Sequence, residues 1–277
     1  MISEICIFDM ANRTTRCLLR ADWHLEAPNW SRDGQELIVN SKGRLYRMCI
    51  TDPDRPMAEI DTGFATQCNN DHGISPDGQS LVISDKSETN QSTIYTLPYG
   101  GGVPRRVTAN APSYWHGWSP DGAELAYVAK RDAGFQVYTI PAEGGPERPL
   151  TSDFDHCDGP DYTPDGAWIW FNGEKAGQVD LWRMRPDGSK LQRMTEDTLV
   201  NWFPHPSPDG QHIVYLAYPA GTFGHPPDLP VALRLMPAAG GPSEVLARFR
   251  GGQGTINVPS WAPDGHAFAY VRYPEAA

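Results

Sequence analysis

Short apolar runs, each bounded by turn-forming residues, recur along the chain at a near-constant interval. The runs are Leu37-Ile38-Val39, Leu81-Val82-Ile83, Leu125-Ala126-Tyr127-Val128, Trp168-Ile169-Trp170-Phe171, Ile213-Val214-Tyr215-Leu216 and Phe268-Ala269-Tyr270-Val271. They are rich in β-branched and aromatic residues and too short for helices, so they read as buried strands. A related tetrapeptide stands before each: Ser31-Arg32-Asp33-Gly34, Ser75-Pro76-Asp77-Gly78, Ser119-Pro120-Asp121-Gly122, Thr163-Pro164-Asp165-Gly166, Ser207-Pro208-Asp209-Gly210 and Ala262-Pro263-Asp264-Gly265. Proline presets φ for a type I turn, aspartate bonds nearby N–H groups, and glycine supplies the left-handed closing position. Successive turn aspartates lie 44, 44, 44, 44 and 55 residues apart. A period in the forties with one turn per unit predicts a ring or solenoid of small sheets.

A third strand follows in each unit at Leu45-Tyr46, Ile94-Tyr95, Val137-Tyr138, Leu181-Trp182 and Leu233-Arg234. A fourth ends in runs such as Arg105-Arg106-Val107-Thr108, Leu150-Thr151 and Arg193-Met194-Thr195. Near the start, Ile5 to Met10 and Arg16 to Leu19 read as third and fourth strands with no turn motif before them, while Trp261 to Tyr273 supplies a first and second. The two halves complete one another. The expectation is an all-β, six-bladed propeller of four-stranded antiparallel blades, forming a single domain over residues 1–277. Residues 1–20 would give the outer strands of the closing blade and 257–273 its inner strands, leaving no free edge.

Composition narrows the partners. The net charge of −11 argues against nucleic acid or an anionic membrane surface, which need a basic face. No apolar run is long enough to span a bilayer. Strand-like residues begin almost at Met1, without a basic segment and apolar stretch of the secretory kind, so a cytoplasmic location is expected. Cys6, Cys17, Cys49, Cys68 and Cys157 are odd in number and scattered, which suits reduced, packed thiols.

The Trp-Ser-Pro-Asp-Gly units, cleanest at Trp118 to Gly122, resemble the repeats of TolB-like six-bladed propellers over nearly the whole chain. More weakly, they resemble the oligogalacturonate lyase propellers. The first resemblance implies a periplasmic protein with an additional N-terminal α/β domain that bridges envelope proteins; this sequence reads as the propeller part. The second implies a divalent metal held by histidines in a central funnel. No ligand of that family is matched to a residue of this chain.

Function must come from what differs between repeats. In a propeller the segments entering the innermost strands lie on the face opposite the Pro-Asp-Gly turns. Five of the eight histidines fall there: His24, His72, His116, His156 and His205. Carboxylates, amides and aromatics flank them. The candidate ligand-binding set is His72, His116, His205, Asp71, Trp115, Asp158, Asp161, Asn201, Trp202, Gln253 and His225. Imidazoles beside carboxylates can hold a metal or exchange protons, and His72, His116 and His205 are the candidate ligands for Mn, Zn or Ca. Trp115 and Trp202 lie outside the recurring aromatic positions and are expected to stack on a sugar. Trp30, Trp118 and Trp261 share one position and are expected to pack between blades.

The 55-residue interval places extra length at Ala220 to Pro230, where Phe223 and His225 could fold over the funnel. Lys86, Lys130, Arg131 and Lys175 stand in hairpins on the same face and would suit an anionic sugar. No Gly-x-Ser-x-Gly nucleophile motif is present. Three functions fit: a binding propeller whose polar, histidine-rich funnel takes a small anionic carbohydrate, a metal-assisted carbohydrate-active enzyme of the uronate lyase type, and a TolB-like protein-interaction module.

Overall fold

A computed structural model describes residues 1–275. All of its named elements are strands. The first blade is Glu26–Trp30, Glu36–Ser41, Arg44–Cys49 and Ala58–Glu59. The second is Cys68–Ile74, Ser80–Asp85, Thr93–Pro98 and Arg105–Arg106. The third is Ser113–Trp118, Glu124–Arg131, Gly134–Pro141 and Arg148–Pro149. The fourth is His156–Tyr162, Ile169–Lys175, Gln178–Met184 and Gln192–Arg193, and the fifth is Val200–Pro206, His212–Tyr218, Leu229–Pro237 and Glu244–Gly251. Each is an antiparallel meander in sequence order.

The sixth blade closes the ring as expected. Ser3–Asp9 lies between Thr14–Ala21 and Ala267–Arg272, with Ile5 opposite Val271 and Phe8 opposite Phe268. Where the inner strand was expected from residue 257, Trp261 makes only a single bridge to Phe268. The innermost position is therefore occupied by a segment that is largely irregular. No helix among the described residues is long and apolar enough to cross a membrane.

The core lies between blades. Ile38 and Leu45 of the first blade pack with Ile74, Leu81, Ile83 and Tyr95 of the second. Trp170 and Leu181 of the fourth meet Ile213 and Tyr215 of the fifth. Apolar side chains on both faces of a middle strand are thus buried, which is why the runs are continuous rather than alternating.

The repeated tetrapeptide is a closed hydrogen-bond circuit. In the third blade Ser119 Oγ donates to Asp121 Oδ1 at 2.6 Å, and the same oxygen accepts from Ala123 N at 3.0 Å. Ser119 Oγ in turn accepts from Glu124 N at 2.8 Å. Gly122 sits at φ +74°, where a side chain would be strained. The turns also touch around the ring. A Cβ placed on Gly122 would lie 3.8 Å from Pro76 Cδ, and one on Gly166 3.7 Å from Pro120 Cδ. Pro76, Pro120, Pro164 and Pro208 therefore each rest against the next blade's turn glycine, whereas the space beside Gly34 is open. In the first blade Arg32 stands in for proline, and its stem covers Gly78 in the same way.

Ala262 cannot supply the hydroxyl, so the sixth turn keeps only the bond from His266 N to Asp264 Oδ1. Asp121→Ala should therefore cost about 1–2 kcal/mol, and Asp264→Ala measurably less. Urea unfolding of the two variants checks this; equal losses would show that the hydroxyl bond contributes nothing.

Candidate functional site

The innermost strands are bulged in their middles. Register shifts fall between Glu26 and Asn29, Cys68 and His72, Trp115 and Gly117, Asp158 and Asp161, and Trp202 and His205. Ala27, Gly159 and Phe203 take left-handed φ values of 53°, 58° and 54° at three of these sites. A bulge re-aims the residues that follow it. Each inner strand thereby serves one end of the channel before its bulge and the other end after it.

Seven residues before the turn aspartates stand Glu26, Asn70, Tyr114, Asp158, Trp202 and Asn257. Asn70, Tyr114, Asp158 and Asn257 line a central cavity of about 330 Å³ together with Asn69, Asp71, His116, Val128, Phe135, His156, His225 and Gln253. Glu26 Oε2 accepts from Asn70 Nδ2 at 3.5 Å, and the Trp202 ring packs on His225 with centroids 4.4 Å apart. Four of the six equivalent positions thus line one polar funnel, and Glu26 and Trp202 stand behind its wall.

Its electrostatic centre is Asp158. His116 Nε2 lies 2.7 Å from Asp158 Oδ1, and His225 Nε2 lies 3.5 Å from Oδ2. Burial works against a charged His116, but the carboxylates of Asp158 and Asp71 outweigh it and raise the imidazole to about 9. His116 Nδ1 faces the Asn257 carbonyl at 3.4 Å, so both ring nitrogens meet acceptors, as an imidazolium requires. Burial likewise opposes ionisation of Asp158, yet His116, followed by His225 and His156, holds it well below the usual carboxylate range. His225 Nδ1 bonds Gln253 Oε1, which also accepts from Asn257 Nδ2 at 3.1 Å. Burial lowers the pKa of His225 despite Asp158.

The sequence-chosen residues separate into groups. His116, Asp71, Asp158, Gln253 and His225 line the funnel, and Trp202 backs it. His72 lies in the core with Nε2 3.3 Å from the Ile38 carbonyl of the preceding blade. Its burial lowers the pKa to about 4. His205 spans Asp161 Oδ2 at 3.0 Å and the Ile256 carbonyl at 2.6 Å. Among the described residues His72, His116 and His205 do not gather their nitrogens within 4.8 Å, because each ring is tied to a different neighbour. The one such cluster of potential metal donors is Glu4, Cys6 and Cys17 in the closing blade, and Glu4 is bound there by Arg20 and Arg272. Asn201 is buried and donates to Asp197 Oδ1 at 3.1 Å.

Trp115 and Trp202, expected to stack on a sugar, are only 1% and 2% exposed and pack in interblade clusters. Tyr114 and Phe135 supply the aromatic faces instead. Phe223 does not fold over the funnel; it is 92% exposed, while His225 from the same insertion reaches inside. Lys86 and Lys130 border an adjoining cavity of about 550 Å³ that shares Asn69 and Tyr114 with the funnel. Lys175 is held by Asp153 at 2.7 Å and Arg131 by Glu147 at 2.5 Å. The shared offset of seven residues, visible in the sequence, is the signal that would have found Glu26, Asn70, Tyr114 and Asn257.

Burial pushes Asp71 up to about 7, and Asp158 adds to the rise while His116 and Asn69 oppose it. Burial also raises Glu26 to about 7, with Asp71 adding to it. For raised carboxyls the stability contribution is complete below the unfolded-state value near 4 and is lost as pH rises through about 7. Asp71→Asn should therefore gain stability over wild type between those limits, on the order of 2–4 kcal/mol. Urea unfolding across a pH series tests this; a pH-independent difference would contradict it.

The comparisons with known proteins follow this geometry. Residues 111–229 match the family described as the TolB beta propeller domain. An uncharacterised protein of Agrobacterium fabrum is 50% identical over 273 residues, covering 99% of this chain and 93% of that protein. The solved structure of an Agrobacterium tumefaciens protein provisionally named TolB is also 50% identical, with a TM-score of 0.96 over 100% of this chain and 99% of that one. The Tol-Pal system protein TolB of Francisella tularensis is 25% identical over 183 residues, which are 62% of this chain and 41% of that protein. A manganese complex of oligogalacturonate lyase shares the fold at 14% identity, with a TM-score of 0.58 over 94% of this chain and 93% of that one. The chain belongs to the TolB-like β-propeller family.

Proposed function

We propose that the protein is a binding propeller whose funnel takes a small uronate-type carbohydrate. The observation that carries this reading is the set of equivalent positions at Asn70, Tyr114, Asp158 and Asn257, which brings hydrogen-bonding and aromatic side chains from four blades to one cavity. Asn69, Asn70, Asp71 and Gln253 offer donors and acceptors to hydroxyl groups. Tyr114 and Phe135 offer apolar faces to a sugar ring. Lys86 and Lys130, in the adjoining cavity, would meet a carboxylate.

Two of the histidines at the wall are already engaged by protein partners. The imidazolium of His116 is paired with Asp158 and capped by the Asn257 carbonyl, and His225 is tied to Gln253.

Isothermal titration calorimetry with galacturonate oligomers, set against neutral galactose oligomers, tests the reading. The uronates should bind, and the neutral sugars should bind at least about tenfold more weakly. Tyr114→Ala should weaken uronate binding by about tenfold. Absence of binding by either sugar class at millimolar concentration would refute the assignment. Release of an ultraviolet-absorbing unsaturated product would replace it with an elimination reaction.

A further inference from the structure

The opposite mouth of the channel, on the turn face, holds a second cavity of about 290 Å³. Trp30, Trp118, Tyr162 and Trp261, which follow the bulges, form much of its wall together with the turn prolines. The size lies at the lower end of small-molecule pockets. Three details make it more than a packing gap.

The first is Arg32, which lines this cavity and breaks the repeat. Its stem does the packing that proline does elsewhere, and its guanidinium reaches across the rim. Nε donates to the Ser75 carbonyl at 3.1 Å and Nη2 to the Ile74 carbonyl at 2.9 Å. Nη1 has no protein acceptor among the described residues.

The second is a set of buried polar atoms without partners. Among the described residues the indole N–H groups of Trp30, Trp115 and Trp118 and the Oδ1 of Asn29 have no protein partner, and all four residues line the cavity. These atoms are sealed from solvent, so they mark the wall as polar without being contact points themselves. The third is Asp161, also on the wall. His205 holds its Oδ2, while Oδ1 receives no protein hydrogen bond among the described residues.

The wall therefore offers a donor at Arg32, an acceptor at Asp161, and flat apolar surface from the tryptophans and prolines. A simple anion would leave the acceptor unmatched, and a simple cation would leave the donor unmatched. We propose that this cup binds a small zwitterion with an apolar body, of the class of a free aromatic α-amino acid, with its carboxylate on Arg32 and its ammonium on Asp161. This site is separate from the funnel and does not depend on the carbohydrate reading.

Calorimetry with L-phenylalanine, 3-phenylpropionate and phenethylamine tests it. Phenylalanine should bind, and each truncated compound should bind at least about tenfold more weakly. Arg32→Pro restores the residue used by the other turns and should keep the fold, as thermal melting would verify. It should abolish the advantage of phenylalanine over phenethylamine. Should that variant fail to fold, Arg32→Gln gives the same reading. Tyr114→Ala in the funnel should leave phenylalanine binding unchanged, so that this site and the funnel stand or fall separately. No binding of phenylalanine at millimolar concentration, or undiminished binding by the folded Arg32 variant, would overturn the proposal.

Discussion

The hydroxyl–carboxylate hydrogen bond inside five of the six turns is what the architecture rests on. A serine or threonine donates to the aspartate two residues later and accepts from an amide five residues later, joining the ends of the innermost and second strands. That short circuit fixes where the inner strand stops. It also places the turn proline against the neighbouring blade's glycine, so local turn chemistry and ring packing are one interaction. The sixth unit, with Ala262 in place of the hydroxyl, is also the unit whose inner segment makes only one bridge. The irregular stretch there is used: Gln253, Asn257 and the Ile256 carbonyl all serve the channel.

Along the channel, charge is organised around two carboxylate–histidine pairs. Asp158 with His116 belongs to the funnel, and Asp161 with His205 belongs to the opposite cup. Both aspartates come from one strand and both histidines from flanking blades. Each pair therefore ties neighbouring blades at the centre of the ring, where the apolar interblade core has ended. Removing His116 would leave the buried Asp158 carboxylate without its imidazolium, a larger loss than that of an exposed ion pair.

The fold was legible in the sequence because it is periodic. Six turns, four of whose five intervals are equal, gave the number of blades, and the third- and fourth-strand patterns near Ile5 and Arg16 gave the closing blade. The site was legible only in part. His116, Asp158 and His225 do line one cavity, because polar groups cluster in the segments that enter the inner strands. His72 and His205 looked equivalent to His116, yet they turn to other neighbours, since His116 lies inside its bulge while His72 and His205 pair again just after theirs. Trp115 and Trp202 misled for a related reason: large aromatics outside the repeated positions fill irregular space between blades. Nothing in composition marks a bulge in advance, apart from the glycine at Gly159.

The bulge also separates what the two ends of the channel can become. Asp158 and Asp161 are three residues apart, yet they face different chambers and answer to different partners. A substitution before the bulge alters one chamber without re-lining the other, while the turn circuit below holds the strand in register. A single short strand can thus carry two independent sets of selective pressures, and six such strands let one scaffold acquire a new specificity at one mouth while conserving an old one at the other.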